Sequence, residues 1–286
     1  MKKILVTGAN GQLGQCLQKI SSQFEEFEFI FTDSETLDIT NKEEVNDFFW
    51  QNAPDFCINA AAYTAVDLAE TDIEKAFLVN ADGTENLAEA CAENNAQFIH
   101  VSTDYVFDGE NNLAYTEEDF TNPLGVYGAS KLAGDELALE VNPCSVILRT
   151  SWVYSEFGKN FVKTMLNLFA TKEELSIVAD QFGQPTNAND LAEAIMKIIK
   201  SEKITPGIFN FSNLGRISWF DFAEKIAELS EAKIKLNAIE TSQYPTPAKR
   251  PKNSVLDLDK ISKTYAVQLK PWEESLEDCV QILQNN

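Results

Sequence analysis

No stretch of 18 consecutive apolar residues occurs in this chain of 286 residues, so no membrane-spanning helix is expected. Basic residues are scarce as well. Against 45 Asp and Glu stand only 23 Lys and Arg, a net charge of −22. A surface of that sign repels nucleic acid and anionic lipid, so neither is expected as a partner. The acidity is spread along the chain rather than gathered in a tail, and reads as a solubility feature. Cysteine is sparse and unpatterned. Cys16, Cys57, Cys91, Cys144 and Cys279 are odd in number, far apart and form no CxxC, as in the reduced, mostly buried thiols of a cytoplasmic protein. Histidine occurs once, as His100 within an apolar run, where a buried structural imidazole is expected. The apolar stretch after Lys2 and Lys3 is too short for a signal peptide and is expected to form a first strand.

Hydrophobic residues make up 44% of the chain, enough for a packed core in one large or two modest domains. Short apolar runs at residues 4–6, 27–31, 56–58, 98–101 and 145–148 alternate with helical patterns. That rhythm predicts βαβ units and an α/β, Rossmann-type, doubly wound parallel sheet. Each run ends in a polar or small-residue cluster, and in such sheets ligands bind beyond the carboxyl ends of the strands. Residues 1–150 are expected to form a dinucleotide-binding domain, with the chain returning to it near residues 175–195. Residues 151–286 are expected to be mainly a smaller C-terminal α/β substrate-binding part. Within that part, Ser218 to Asp221 resembles a capping box ahead of a helix whose apolar face holds Phe222, Ile226 and Leu229.

The first run leads into Gly8-Ala9-Asn10-Gly11-Gln12-Leu13-Gly14. Glycines at this strand–turn–helix junction permit the tight turn and let a pyrophosphate reach N–H groups at the helix start. Asp33 ends the second run, 19 residues after Gly14, where an acid holds ribose hydroxyls and disfavours a 2′-phosphate. Asp38, followed by Ile39, competes for that role or frames the adenine. Against the overall acidity, a phosphate needs local donors: helix-start N–H groups, Arg149, or the basic patch Lys249-Arg250-Pro251-Lys252.

Tyr127 and Lys131 are four residues apart at the start of a helical pattern, behind Pro123, and so share one helix face. A lysine ammonium beside a phenol is expected to lower its pKa, and a tuned tyrosine exchanges a proton with a substrate oxygen. Thr103, or alternatively Ser102, follows a strand end 24 residues before Tyr127 and supplies a hydroxyl for the same oxygen. Glycine turn, hydroxyl and YxxxK in this order describe hydride transfer between a nicotinamide and a carbonyl or alcohol.

These motifs resemble the extended short-chain dehydrogenase/reductases over essentially the whole chain. More narrowly, residues 59–67 (NAAAYTAVD), 102–109 (STDYVFDG), 126–134 (VYGASKLAG), 149–154 (RTSWVY) and 184–186 (QPT) are similar to the family of dTDP-4-dehydrorhamnose reductases. The resemblance implies NADPH or NADH as cofactor and a nucleotide-sugar substrate, dTDP-6-deoxy-L-lyxo-4-hexulose, whose C4 keto group is reduced. It implies Tyr127 as general acid, Lys131 as its tuner and ribose ligand, and Thr103 as third member. Gly8, Asn10, Gly11, Gln12 and Leu13 would cradle the pyrophosphate, and Ala60, Ala61, Ala62, Tyr63 and Asn80 would line the cofactor. Thr64, Val66, Asp104, Tyr105, Trp152 and Arg250 match substrate-side positions. Some relatives hold Mg²⁺ near the Pro185-Thr186 loop; here the loop reads Asn187-Ala188-Asn189-Asp190, so no required metal is expected. Assembly as a homodimer is left open.

Two rivals remain at this level. One is a nucleotide-sugar epimerase or dehydratase on the same fold. Asp104-Tyr105, in place of the Asp-Glu pair of many dehydratases, favours simple reduction. The other is a non-catalytic dinucleotide-binding regulatory subunit, which has no physical need of a tuned phenol.

Overall fold

The computed structural model describes residues 1–285. Its centre is a six-stranded, all-parallel sheet. Five strands come from the expected runs: β1 (Lys2–Thr7), β2 (Phe27–Phe31), β3 (Phe56–Asn59), β4 (Gln97–Thr103) and β5 (Val146–Thr150). The sixth, Gly207–Asn210, pairs with β5, giving the order Gly207–Asn210, β5, β4, β3, β1, β2. Strands buried on both faces read as continuous apolar runs, and Ile4, Leu5 and Val6 are all fully buried.

Alternation along β1 sends its side chains into two different cores. Ile4 and Val6 pack with Leu13, Leu17 and Ile20 of α1 (Gln12–Ser21) and with the Ala188–Ile199 helix. Leu5 packs with Val45, Phe49, Leu87, Cys91 and Phe98 on the opposite side. Four of the five cysteines are buried free thiols; Cys144 is exposed. The Glu174–Val178 strand pairs in parallel with Lys235–Ile239 in a separate two-stranded sheet, while the chain rejoins the main layers through the 188–199 helix and the 207–210 strand.

A third core lies under the C-terminal helices. The predicted capping box is present: Ser218 accepts from the Asp221 N–H, and the Asp221 carboxylate accepts from the Ser218 N–H. Phe222 and Ile226 of that helix are fully buried, against Tyr154, Trp272 and Leu276. Burying a phenylalanine stabilises by roughly 2–3 kcal/mol, so the face specified by sequence spacing anchors this layer.

After β1 the chain runs outward to β2, then crosses to the other side of β1 for β3. The strand order therefore reverses between β1 and β3. That reversal opens a crevice at the carboxyl ends, the usual ligand position in an open parallel sheet.

Candidate active site

The glycine turn and the end of β3 form one wall of this crevice. Gly8 has a φ of +68°. A Cβ there would stand 2.6 Å from the Ala61 nitrogen and 2.7 Å from the Ala60 carbonyl carbon. Only glycine allows the two turns to touch. Gly11 caps α1 without a side-chain bond, so the first N–H groups of the helix remain available to an anion. Beside them lies a cleft of about 420 Å³ lined by Gly8, Asn10, Gly11, Asp33, Asp38, Ile39 and Ala60 to Ala62. These donors, small walls and open strand ends fit a dinucleotide.

Asp33 reaches the cleft already organised. The Thr36 hydroxyl and the Glu35 N–H bind its carboxylate, Asn10 Nδ2 donates to it at 2.6 Å, and these bonds hold its pKa below the ordinary carboxylate range. Asp38 accepts from the Thr40 hydroxyl at 2.7 Å. Among the residues lining the cleft there is no lysine or arginine. Tyr63 donates its hydroxyl to Asp72 at 3.2 Å.

Asn80 departs from expectation. It lies in a π-helical turn, Leu78–Asp82, and is fully buried. Its Oδ1 accepts from the Tyr63 N–H at 2.8 Å, and its Nδ2 donates to the Tyr63 carbonyl and the Ser130 hydroxyl. Its amide is spent on shaping the Tyr63 turn, so it offers no free group to a ligand.

Tyr127 and Lys131 stand on the Val126–Val141 helix as predicted. Its N-terminus has no cap of its own; Glu70 reaches across and accepts from the Val126 N–H at 2.9 Å. Gly128 presses against the Tyr105 carbonyl oxygen, where any Cβ would collide. This close approach seats the helix on the Asp104–Val106 turn and sets the Tyr105 and Tyr127 rings edge to face at 5.7 Å. Thr103 donates its hydroxyl to Asp104 at 3.1 Å and accepts from the Tyr105 N–H. Ser102 instead donates to Asp135 at 2.9 Å, on the other face of β4. The strand thus resolves the two hydroxyls: Thr103 is the one beside Tyr127.

The electrostatics correct the simple lysine–phenol expectation. Burial raises Tyr127 to about 12, with the Asp104 and Asp135 charges adding to the rise and the Thr103 hydroxyl opposing it. Lys131 is turned inward: its Nζ donates to the Val101 carbonyl at 2.8 Å and meets His100 Nε2 at 2.9 Å. Burial lowers Lys131 to about 8, against the pull of Asp135. Without a ligand the phenol therefore holds its proton at neutral pH, as a proton donor must. Burial also pushes the Asp104 carboxyl up to about 7. His100 is buried, as expected, but it is bonded to a candidate catalytic residue rather than merely packed.

The substrate side adjoins Tyr127. Val66, Tyr105, Tyr127 and Lys249 line a small pocket there, and Thr64 is exposed nearby in sequence. A larger cavity of about 420 Å³ is walled by Phe161, Met165, Leu168, Trp219, Tyr244 and Arg250. Trp152, at φ +46°, stacks on Trp219 with ring centroids 3.5 Å apart. Arg250 grips Asp67 through two bonds of 3.0 and 2.9 Å and is half-buried. Arg149 is not available to a phosphate: it is buried, bonded to Asp135 at 3.4 Å and stacked over Phe107. Sequence reasoning missed Asn59, Glu70, Asp67 and Trp219; of these only Asn59 and Asp67 carried a signal, lying within the NAAAYTAVD motif.

The family described as the RmlD substrate binding domain matches residues 1–285. A dTDP-4-dehydrorhamnose reductase of Aggregatibacter actinomycetemcomitans is 44% identical, over 97% of this chain and 98% of that protein. The crystal structure of a dTDP-4-dehydrorhamnose reductase from Clostridium acetobutylicum superposes with a TM-score of 0.95 at 44% identity, covering 99% of both chains. One from Bacillus anthracis, solved in complex with NADP, gives 0.95 at 39% identity, covering 99% of this chain and 100% of that one. With a parallel sheet reversed at β1 and β3, a glycine cradle, a hydroxyl–tyrosine–lysine set and relatives matched end to end, the chain belongs to the RmlD substrate binding domain family, the family of the dTDP-4-dehydrorhamnose reductases.

Proposed function

We propose that the chain reduces the C4 keto group of dTDP-4-dehydro-L-rhamnose (dTDP-6-deoxy-L-lyxo-4-hexulose) to give dTDP-L-rhamnose, the last step in making this sugar donor for cell-surface polysaccharide. The observation that carries the reading is the position of Tyr127. It is a phenol held protonated on a pinned helix, beside Thr103 and Tyr105, and it lines a small pocket with Val66 and Lys249. A reduced nicotinamide bound in the crevice supplies the hydride. Thr103 orients the substrate carbonyl, and Tyr127 gives its proton to the oxygen that becomes the C4 hydroxyl. Tyr105 and Val66 close the site around the sugar, Trp152 braces the wall through its stack on Trp219, and Arg250 meets the diphosphate. Thr64 and Asp104 complete the sugar contacts.

The dinucleotide is NADPH or NADH. Asp33, Glu35 and Asp38 on the cleft wall, with no cation among the lining residues, favour an unphosphorylated ribose. The Bacillus anthracis relative, by contrast, was solved with NADP. Gly8, Asn10, Gly11, Gln12 and Leu13 serve the pyrophosphate, Asp33 the ribose, and Asp38 with Ile39 the adenine. Ala60 to Ala62 and Tyr63 border the nicotinamide side.

Isotope transfer tests the reaction. With cofactor deuterated at the transferable position, one deuterium is expected at C4 of the product, with oxidised cofactor formed in equal amount. No net cofactor oxidation and no deuterium at C4, with the sugar recovered as a stereoisomer, would instead support an epimerase.

A further inference from the structure

Behind Tyr127 runs a buried chain of hydrogen bonds whose protons can be assigned. The Ala61 N–H, a fixed donor, points at Asn59 Oδ1 at 3.1 Å, and the Thr7 hydroxyl donates to the same oxygen at 2.8 Å. The amide end of Asn59 is thereby fixed. Its Nδ2 donates to His100 Nδ1 at 3.0 Å and to the Thr84 hydroxyl at 3.3 Å. His100 Nδ1 is therefore bare, and a neutral imidazole must carry its single proton on Nε2. That nitrogen faces Lys131 Nζ at 2.9 Å.

An Nε2–H cannot point at an ammonium, since both are donors. Two arrangements exclude one another. In the first, Nε2 carries the proton and Lys131 is a neutral amine that accepts it. In the second, Lys131 is an ammonium donating to a bare Nε2. Nδ1 then carries the imidazole proton, the Asn59 amide is turned over, and the Ala61 N–H loses its acceptor. The two states differ by one proton taken up from solvent, and the imidazole is neutral in both.

We propose that His100 and Asn59 are positioning residues for Lys131, coupling its charge to the Ala61 backbone N–H at the wall of the cofactor crevice. Gain of a proton by Lys131 moves the imidazole proton from Nε2 to Nδ1 and turns the Asn59 amide. The groups around the pair allow both states. On the Val126–Val141 helix, Asp135 Oδ1 stands 3.8 Å from Nε2 and favours the ammonium; Arg149 of β5 and Ser102 of β4 hold that carboxylate. β3 offers only the uncharged Asn59, and Tyr127 and Asp104 lie on the site side. Burial favours the amine and brings Lys131 down to about 8, within reach of ordinary buffers. The coupling rests on the hydrogen-bond geometry and on the family assignment of Lys131 to the site, not on the identity of the sugar.

The single histidine makes the test direct, because a ¹⁵N-histidine-labelled chain gives one set of ring signals. Long-range ¹H–¹⁵N spectra of the free protein should show a neutral ring throughout, protonated on Nε2 at alkaline pH and on Nδ1 at lower pH, with a midpoint of about 8. In Lys131→Met the ring should stay protonated on Nε2 at every pH. An imidazolium, a tautomer unmoved by pH, or a switch that survives in Lys131→Met would overturn the proposal. A second variant reads the consequence. In His100→Gln the amide oxygen accepts from Lys131 with no tautomer change, so the lysine limb of the kcat/KM profile should move to higher pH by about one unit or more. An unmoved limb in a folded variant would also overturn it. The spectra need no turnover, so failure of the sugar assignment and failure of this coupling are distinguishable.

Discussion

Replacing Gly8 with alanine should separate the cradle from an ordinary turn. Two costs combine. A φ of +68° places an L side chain in the left-handed region, roughly 1–2 kcal/mol above its preferred conformations. The new methyl would stand 2.6 Å from the Ala61 nitrogen, so the β1 and β3 turns must part by most of an ångström to reach ordinary contact. Overpacking of that kind costs about 1–3 kcal/mol. The sum is about 3 kcal/mol, which for a chain of this size lowers the thermal midpoint by roughly 6 °C. Binding should suffer more than stability, because the same displacement moves the helix-start N–H groups proposed to hold the pyrophosphate. Gly11→Ala is the control. Its methyl would meet only the Gly8 carbonyl oxygen, at 3.2 Å, and its φ is −75°. It should cost about 1 kcal/mol, through the poorer cap and a mild contact that a shift of a few tenths of an ångström relieves. Calorimetry and dinucleotide titration of both variants provide the comparison. Equal losses in the two, or a Gly8→Ala protein with unchanged cofactor affinity, would refute the contact argument.

Three further outcomes follow from the site. Tyr127→Phe should lower kcat by roughly 10²–10⁴-fold while leaving dinucleotide affinity within a few-fold, measured by steady-state rates and equilibrium titration. Arg250→Ala should raise the substrate KM by roughly 10–100-fold with little change in kcat, since it removes the proposed charge-assisted contact to the diphosphate; a kcat loss with unchanged KM would contradict that role. Asp104 has its pKa raised from 3.8 to about 7 by burial. The folded carboxyl thus keeps its proton to higher pH than the unfolded one, and stability is lost as pH rises through that window, by a few kcal/mol. Urea unfolding at the two ends of the window should show this loss in the parent protein and a much smaller one in Asp104→Asn.

The parts legible in the sequence are those fixed by local pattern. Apolar runs ending in small or polar residues located β1 to β5, since strands buried on both faces need no alternation. Gly8, Tyr127 and Lys131 were visible because their chemistry depends on short spacings. The hidden parts depend on distant partners. Asp67 and Arg250 are 183 residues apart and meet only through the folded loop. The π-helical turn that buries Asn80 inserts an irregularity that no periodicity announces. Helix spacing alone pairs Lys131 with its helix neighbour Tyr127, but the fold gives its amino group a carbonyl and an imidazole from β4 instead. Burial, which is a property of the assembled layers, then sets the pKa values of Tyr127, Lys131 and Asp104.

The most direct measurement is turnover of the purified chain with enzymatically generated dTDP-6-deoxy-L-lyxo-4-hexulose, following NADH and NADPH absorbance in parallel and identifying the sugar formed. The account predicts stoichiometric cofactor oxidation, dTDP-L-rhamnose as product, and NADH used at least as well as NADPH. Tight cofactor binding with no oxidation of either, in the presence of this sugar, would contradict it.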